Sequence, residues 1–392
     1  MRVLHIGKFF PPHPGGIERT SADLAAALAE RGVRSAVLAH AEPGTRRSAR
    51  FRRGEVEVTL AGCFGRWLYA PVSPAFPVLL RRTIGQFRPD LLHLHVPNTS
   101  AFWALMLPSA RRIPWVVHWH ADIPLDSRRR ALRAAYRLYR PWEQALLGRA
   151  RAVIATSAAY LESSAALARW HDKTHVIPLG LPALSAEVKN AANRTNIQWP
   201  AAGARVLAVG RLSYFKGFDV LLRALAQVPD AGLVLVGDGE CRDELHRLAG
   251  ELGVAARVRF AGRVDQDEAG EAMLAATCAT ADMFCLPSTE RAESFGLVLL
   301  EAMRTSLPVV ASAIPGSGVG HVLDGGAAGL LVPPGDVANL AAAIRRLAAD
   351  APLRRRLGDA GHQRWRKEFT LDASAEKTLA LYRRVLAQAK HP

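Results

Sequence analysis

Cysteine is scarce in this 392-residue sequence: Cys63, Cys241, Cys278 and Cys285 stand apart with no CxxC pair. That scatter argues for a reducing compartment and against a zinc site. Long apolar runs are missing as well. None reaches the roughly 18 residues that a membrane-spanning helix needs. The opening "MRVLHIGKFFPPHPGG" has too short an apolar core for a signal peptide and reads as a strand followed by a loop. Acidic residues are outnumbered, 35 against 51 lysines and arginines, which leaves a formal charge of +16. An excess of that size calls for nucleic acid, an anionic membrane or an anionic substrate. The basic runs lack the interleaved aromatics of a known nucleic-acid module, so no nucleic-acid partner is expected.

What is present is a globular chain. Hydrophobic residues make up 49%, too much for disorder, and the length exceeds what one ordinary core fills, so two domains are expected. Strand-like segments alternate with helical ones from "RVLHIGK" through "RSAVLAH", "DLLHLHV", "WVVHWHA" and "AVIATS". Apolar periodicity fades over 183–203, which reads as a linker. The alternation then restarts with "RVLAVG", "LVLVG", "RVRFAG", "MFCLPS" and "PVVAS". Such alternation predicts parallel sheets covered on both faces. The expected fold is α/β, with two doubly wound Rossmann-like domains over 1–182 and 204–370 and a ligand cleft between them.

Four stretches carry candidate chemistry. In "VLAVGRLSYFKGFDVLL", Arg211 and Lys216 lie between a strand and a helix, where two cations suit a diphosphate; solvated loop charges would look the same. In "PPHPGGIER", Gly15 and Gly16 would let backbone N–H groups approach a phosphate, or simply form a tight turn. In "VVHWHAD", His118 and His120 follow one another on a strand face. Asp122 follows them, but no third-ligand pattern supports a metal, so these polar positions are expected to hydrogen-bond a sugar or hold loop backbone, with a core role open for His118. In "ERAESFGLVLLEAMR" a helix is expected from Ser294. Glu301 sits within its apolar run, where a carboxylate needs either a protein partner or a ligand. Glu293 and Glu301 would be offset by about 80° on that helix, so they are not a facing acid/base pair. The N–H groups of Phe295, Gly296 and Leu297 would seat a phosphate. Hydroxyl-binding carboxylates around a diphosphate seat describe a nucleotide sugar.

With "VLVGDG", "FAGRV", "LPSTERAESFGLVLLEAM", "PVVAS" and "GLLVPPGD" in order, nearly the whole chain resembles the retaining family-4 glycosyltransferases of the GT-B fold. The resemblance implies transfer of a hexosyl group from a nucleoside diphosphate sugar, with no metal and no cofactor beyond that co-substrate. It implies catalytic roles for His120, Arg211, Lys216 and Glu293. It implies donor contacts from Gly15, Gly16, Gly210, Val264, Ser294, Phe295, Gly296 and Leu297, and from Glu301 to the ribose. It also implies that a helix near 372–389 returns to the first domain. The segment His120-Ala121-Asp122-Ile123 is similar to the bacterial branch that includes surface-polysaccharide mannosyltransferases. That points to GDP-mannose and a lipid-linked or saccharide acceptor; a UDP-sugar enzyme and a non-transferring epimerase are the alternatives. Departures from the pattern are Ser306 where a glycine commonly ends the helix, Gly320-His321, and Pro182. Arg130, Arg133, Arg137 and Arg140 fall on one helical stripe. This stripe is read as a peripheral contact with the anionic inner face of the cell membrane, in a cytoplasmic enzyme; a solvated helix face is the alternative.

Overall fold

The computed structural model describes residues 1–67, 70–123, 130–194, 197–200, 203–265 and 267–390, the side chains of Arg130, Ala131 and Lys390 excepted. Its contacts divide the chain into two units, Met1–Pro182 with Leu371–Pro392, and Ala183–Thr370.

The first unit is built on an eight-stranded sheet. From edge to edge it runs Thr174–Val176, Ala152–Ala155, Trp115–Trp119, Leu91–Val96, Arg2–Phe9, Arg34–His40, Val56–Ala61 and Ala49–Arg53. The pairings are parallel except the last, Ala49–Arg53 against Val56–Ala61, which is antiparallel. That edge strand comes from the basic run near Arg46–Arg53, and all five of its residues are exposed. Its arginines discourage further strand pairing at the sheet edge. The interior strands are almost entirely buried because both faces are covered. The first helix, Gly16–Glu30, ends in the expected place: Gly32 takes φ +78°. The N–H groups of Gly32 and Val33 there donate to the carbonyls of Ala29 and Leu28, the hydrogen-bond pattern of a glycine-terminated helix. The last helix, Leu371–Lys390, packs Ala375, Leu379, Tyr382 and Val385 against Leu24 and Leu28 of the first helix and Val3, Leu91 and Val116 of the sheet.

The second unit has six parallel strands in the order Val258–Gly262, Ala231–Val236, Ala204–Val209, Met283–Leu286, Val309–Ser312 and Leu330–Val332. The segment expected as a linker contains a helix, Ala186–Arg194. Val188 is buried there against Ala272 and Ala275 of the helix Glu268–Thr280. One buried apolar residue on a polar helix leaves little periodicity to detect, which is why the stretch reads as a linker.

Both sheets reverse direction at one point. In the first unit the chain builds outward from Arg2–Phe9 on one side and resumes beside it with Leu91–Val96. In the second it builds outward from Ala204–Val209 and resumes with Met283–Leu286. Loops at the carboxyl ends of two such neighbouring strands part to opposite faces and leave a crevice, the usual ligand position in these sheets.

Candidate active site

In the second unit the loops after the two switch-point strands carry the candidate donor residues. The loop after Ala204–Val209 holds Gly210, Arg211 and Lys216. Arg211 is exposed, whereas the Lys216 ammonium reaches the neighbouring loop and donates to Glu293 Oε2 at 2.5 Å. Both side chains are nearly covered, 12% and 10% exposed. Ser288 Oγ donates to the same carboxylate oxygen at 2.8 Å. The Ser317 hydroxyl holds the Glu293 carbonyl, and Gly318 N–H holds the Ser294 carbonyl at 2.8 Å. Glu293 is thus fixed along both its side chain and its backbone.

Glycines let the loops come this close. Gly217 has φ +66°, and a Cβ there would lie 2.1 Å from the Pro287 carbonyl oxygen. A Cβ on Gly237 would lie 1.9 Å from the Gly210 carbonyl oxygen. A side chain at either position would force neighbouring backbone apart, so both must be glycine.

The helix of "ESFGLVLLEAMR" begins at Leu297, not Ser294, and runs to Arg304. Gly296, at φ +81° and ψ 51°, turns the chain into it, a conformation that glycine adopts without strain. Ser294 and the buried Phe295 therefore precede the helix, and the 80° wheel offset between Glu293 and Glu301 does not apply. Glu293 lies in the loop and Glu301 in the second helical turn. Glu301 is 5% exposed and is met by a protein partner, the Arg304 guanidinium, itself 5% exposed. Arg304 also bonds Glu271 Oε1 at 2.9 Å. The carboxylate in the apolar run is thus balanced by the arginine three residues on, a helical neighbour that the sequence placed in reach. Val264 lies half-buried in the loop after Val258–Gly262.

In the first unit the turn after Arg2–Phe9 leads through Gly15 into the helix that starts at Gly16. A Cβ on Gly15 would lie 2.0 Å from a Glu18 carboxylate oxygen, so that side chain would have to swing away. His120 follows the strand Trp115–Trp119, and it does not stand with His118 alone. Alternation places His5, His93, His95, His118 and His120 on the face that carries Val3, Leu91 and Val116. That face changes from apolar to imidazole toward the carboxyl ends of three neighbouring strands. Register seals it: His5 pairs with His93 and His95 with His118. His95 Nδ1 is 3.0 Å from His120 Nε2, and His95 Nε2 is 3.2 Å from His5 Nδ1. The Tyr382 hydroxyl lies 2.5 Å from His93 Nδ1. The expectation that nothing joins His118 and His120 is therefore corrected. The missing signal was the "LHLH" of the neighbouring strand, which reaches the same face only once the parallel register is known.

All five imidazoles are buried. Burial pushes His5 and His120 down to about 3 and, with the neighbouring histidines, holds His93, His95 and His118 well below the ordinary value. At neutral pH the cluster is uncharged. Yet His5 Nε2, His93 Nε2, both nitrogens of His118 and His120 Nδ1 have no hydrogen-bond partner among the described residues. Each such buried polar atom costs about 1–3 kcal/mol.

The helix Arg130–Arg149 exposes Arg133, Arg137 and Arg140. Residues 124–129 and the Arg130 side chain lie outside the described residues. Leu138 and Trp142 on this helix are 76% and 44% exposed. On the same helix Glu143 is buried and accepts from the Tyr136 hydroxyl at 2.9 Å. Burial pushes its carboxyl up to about 7, against the Tyr136 hydrogen bond and with the charge of Asp122.

Residues 190–364 match the model of the glycosyl transferases group 1, and residues 15–180 match the glycosyl transferase 4-like domain. Similarity runs the full length: a phosphatidyl-myo-inositol mannosyltransferase of Mycobacterium leprae is 31% identical over 98% of this chain and 97% of that one. The chain belongs to the glycosyltransferases. An O-antigen chain mannosyltransferase C of Escherichia coli is 28% identical over 98% of this chain and 99% of its own. A D-rhamnosyltransferase of Pseudomonas aeruginosa, WbpZ, is 34% identical over 73% and 72%. Among solved structures, a sucrose-phosphate synthase of Thermosynechococcus elongatus superposes with TM-score 0.79 at 26% identity, covering 99% of this chain and all of that one. The glycosyltransferase is of the GT-B type, with a parallel sheet in the second unit and a parallel sheet with one antiparallel edge strand in the first. The relatives differ in the sugar that their names carry, while the loops that hold Lys216 and Glu293 belong to the matched group 1 segment.

Proposed function

We propose that this glycosyltransferase moves a mannosyl group from GDP-mannose to a hydroxyl of a lipid-linked or saccharide acceptor, with retention at the anomeric carbon. The observation that carries the reading is the Lys216–Glu293 pair at the switch point of the second unit, on loops held at close approach by obligate glycines. In this reading Arg211 and Lys216 neutralise the diphosphate as the glycosidic bond breaks. Charge that grows on a leaving phosphate is stabilised best by donors already in place. The N–H groups at the start of the helix Leu297–Arg304 add to that field. Glu293, fixed by Ser288, Ser317 and Lys216, accepts from hydroxyls of the transferred sugar. Glu301 accepts from the ribose, since a carboxylate offers about four acceptor directions and its guanidinium partner takes only part of them. In the first unit, His120 and the turn at Gly15 and Gly16 supply that unit's polar contacts to the ligands.

The mannosyl assignment is supported by the full-length similarity to mannosyltransferases, together with His120-Ala121-Asp122-Ile123. The acceptor assignment is supported by the arginines, Leu138 and Trp142 exposed on one helix, which combine charge with apolar side chains as a membrane-surface element does. No helix among the described residues is long and apolar enough to cross a membrane. The donor test is a thermal-shift titration. GDP and GDP-mannose should raise the melting temperature saturably and UDP-sugars should not; the reverse ranking would reject the mannosyl reading.

A further inference from the structure

Three of the buried histidines do more than share a sheet face. His5, His95 and His120 are joined nitrogen to nitrogen: His5 Nδ1 is 3.2 Å from His95 Nε2, and His95 Nδ1 is 3.0 Å from His120 Nε2. In these two pairs the ring planes lie within 20° of each other, and the centroids are 5.5 and 5.3 Å apart, well beyond the nitrogen separations. The rings therefore meet edge to edge, which aligns an N–H with a lone pair. We propose that His95 and His5 are positioning residues that fix His120 as the tautomer with its proton on Nδ1, and so make it a hydrogen-bond donor to an oxygen of the transferred sugar. The ligand half of this rests on the reading that places His120 at the sugar.

Proton counting leaves two states. Burial, joined at His95 by the neighbouring histidines, holds all three rings neutral at pH 7. A neutral imidazole has one N–H and one acceptor nitrogen. His95 uses both of its nitrogens, so every proton in the chain must point the same way. In one state His5 Nδ1–H donates to His95 Nε2, His95 Nδ1–H donates to His120 Nε2, and the last proton sits on His120 Nδ1. In the other all three protons sit on Nε2, and His120 Nδ1 is a bare acceptor.

The two ends of the chain choose between the states. His5 Nε2 and His120 Nδ1 have no protein partner among the described residues, so each state leaves an unmet N–H at one end. A buried donor without an acceptor is tolerated less well than a spare lone pair. The unmet N–H thus belongs at the end that a ligand can reach. His5 lies inside the strand Arg2–Phe9, whereas His120 follows the carboxyl end of Trp115–Trp119, the side on which such sheets bind ligands. His118 stacks on the His120 ring with centroids 4.1 Å apart and planes at 11°, which resists its rotation. His93 stands outside the chain, bonded to the Tyr382 hydroxyl.

Ring-nitrogen NMR of the full-length chain, free and with GDP-mannose, reads the tautomers directly. His5, His95 and His120 should all carry the proton on Nδ1. His95→Phe keeps a buried ring but removes the donor, so His120 should lose its single tautomer. His95→Asn, whose amide can donate from near the Nδ1 position, should restore it. In calorimetry His95→Phe should weaken GDP-mannose binding about three- to tenfold, the loss of one neutral hydrogen bond, and leave GDP affinity unchanged. Equal loss of both affinities, or of neither, would overturn the donor role. A proton on Nε2 of His95 or His120 in the free chain, or a His120 tautomer unchanged in folded His95→Phe, would overturn the proposal as a whole. If His95→Phe does not fold, the wild-type tautomers decide. GDP-mannose that fails to bind the wild type would reject the mannosyl reading instead, and the tautomers of the free chain then test the histidine chain by themselves.

Discussion

Lys216 is held by the carboxylate it would share with a bound donor, so its charge is positioned before any ligand arrives. Lys216→Ala should lower kcat/KM about a hundredfold, the effect typical of removing one charge-stabilising group. Circular dichroism should be unchanged, and a fully active variant would take Lys216 out of the site. Glu301 has two potential duties, and one substitution separates them. Glu301→Gln should weaken GDP binding by ~1–3 kcal/mol in calorimetry if the ribose reading holds. Unchanged affinity with a lowered melting temperature would mean that the carboxylate serves Arg304 alone. Ser306 shows how a departure in sequence becomes legible in structure. It takes φ +59° just past the helix Leu297–Arg304, a left-handed conformation that glycine adopts without strain. The serine therefore makes this chain reversal itself, at a conformational cost of about 1 kcal/mol.

At the scale of elements, the sequence was most informative where periodicity is long and both sheet faces are covered. The strands "RSAVLAH" and "RVLAVG" and the glycine that closes the first helix stand where their patterns place them. It was least informative where one residue decides. The helix after Glu293 starts three residues late because Gly296 takes a left-handed turn, which an apolar run does not announce. The helix within 183–203 buries mainly Val188. The helix Arg130–Arg149 carries a different kind of hidden feature, a buried Glu143 on an arginine-rich helix. Its carboxyl, raised from an ordinary 4.5 to about 7, binds a proton more tightly folded than unfolded. Its contribution is therefore full below pH 4.5 and is lost as pH rises through 7. The loss amounts to roughly 3 kcal/mol, at 1.36 kcal/mol per pKa unit. Glu143→Gln should remove that term, so the variant should gain on the wild type in urea midpoint between pH 5 and pH 8. Parallel pH profiles of the two proteins would show that Glu143 is not strained by burial.

At the scale of the whole molecule, the charge of +16 and the exposed arginine helix make a solution prediction. Anionic vesicles should bind the chain at low salt and release it at high salt, since each basic residue near the surface contributes about 1 kcal/mol within a Debye length. Replacing Arg133, Arg137 and Arg140 with glutamine should weaken that binding and leave GDP affinity alone. Equal co-sedimentation of both proteins at low salt would reject the membrane role. The alternation of strands and helices made the two-sheet architecture readable, and the order of motifs made the family readable. The histidine cluster was not, because its members come from three strands scattered over the first 120 residues and meet only through parallel register. Sugar identity is equally remote from sequence, since a single hydrogen bond to a hydroxyl can be enough to separate one sugar from another. The most direct measurement is therefore transfer itself: the purified chain, membrane-extracted acceptor, and GDP-mannose beside UDP-glucose and UDP-galactose, with the anomeric configuration of the product read by NMR. The account predicts an α-mannosyl product from the α-linked GDP donor and no product from the UDP-sugars. A β-linked product, or transfer from a UDP-sugar alone, would contradict it.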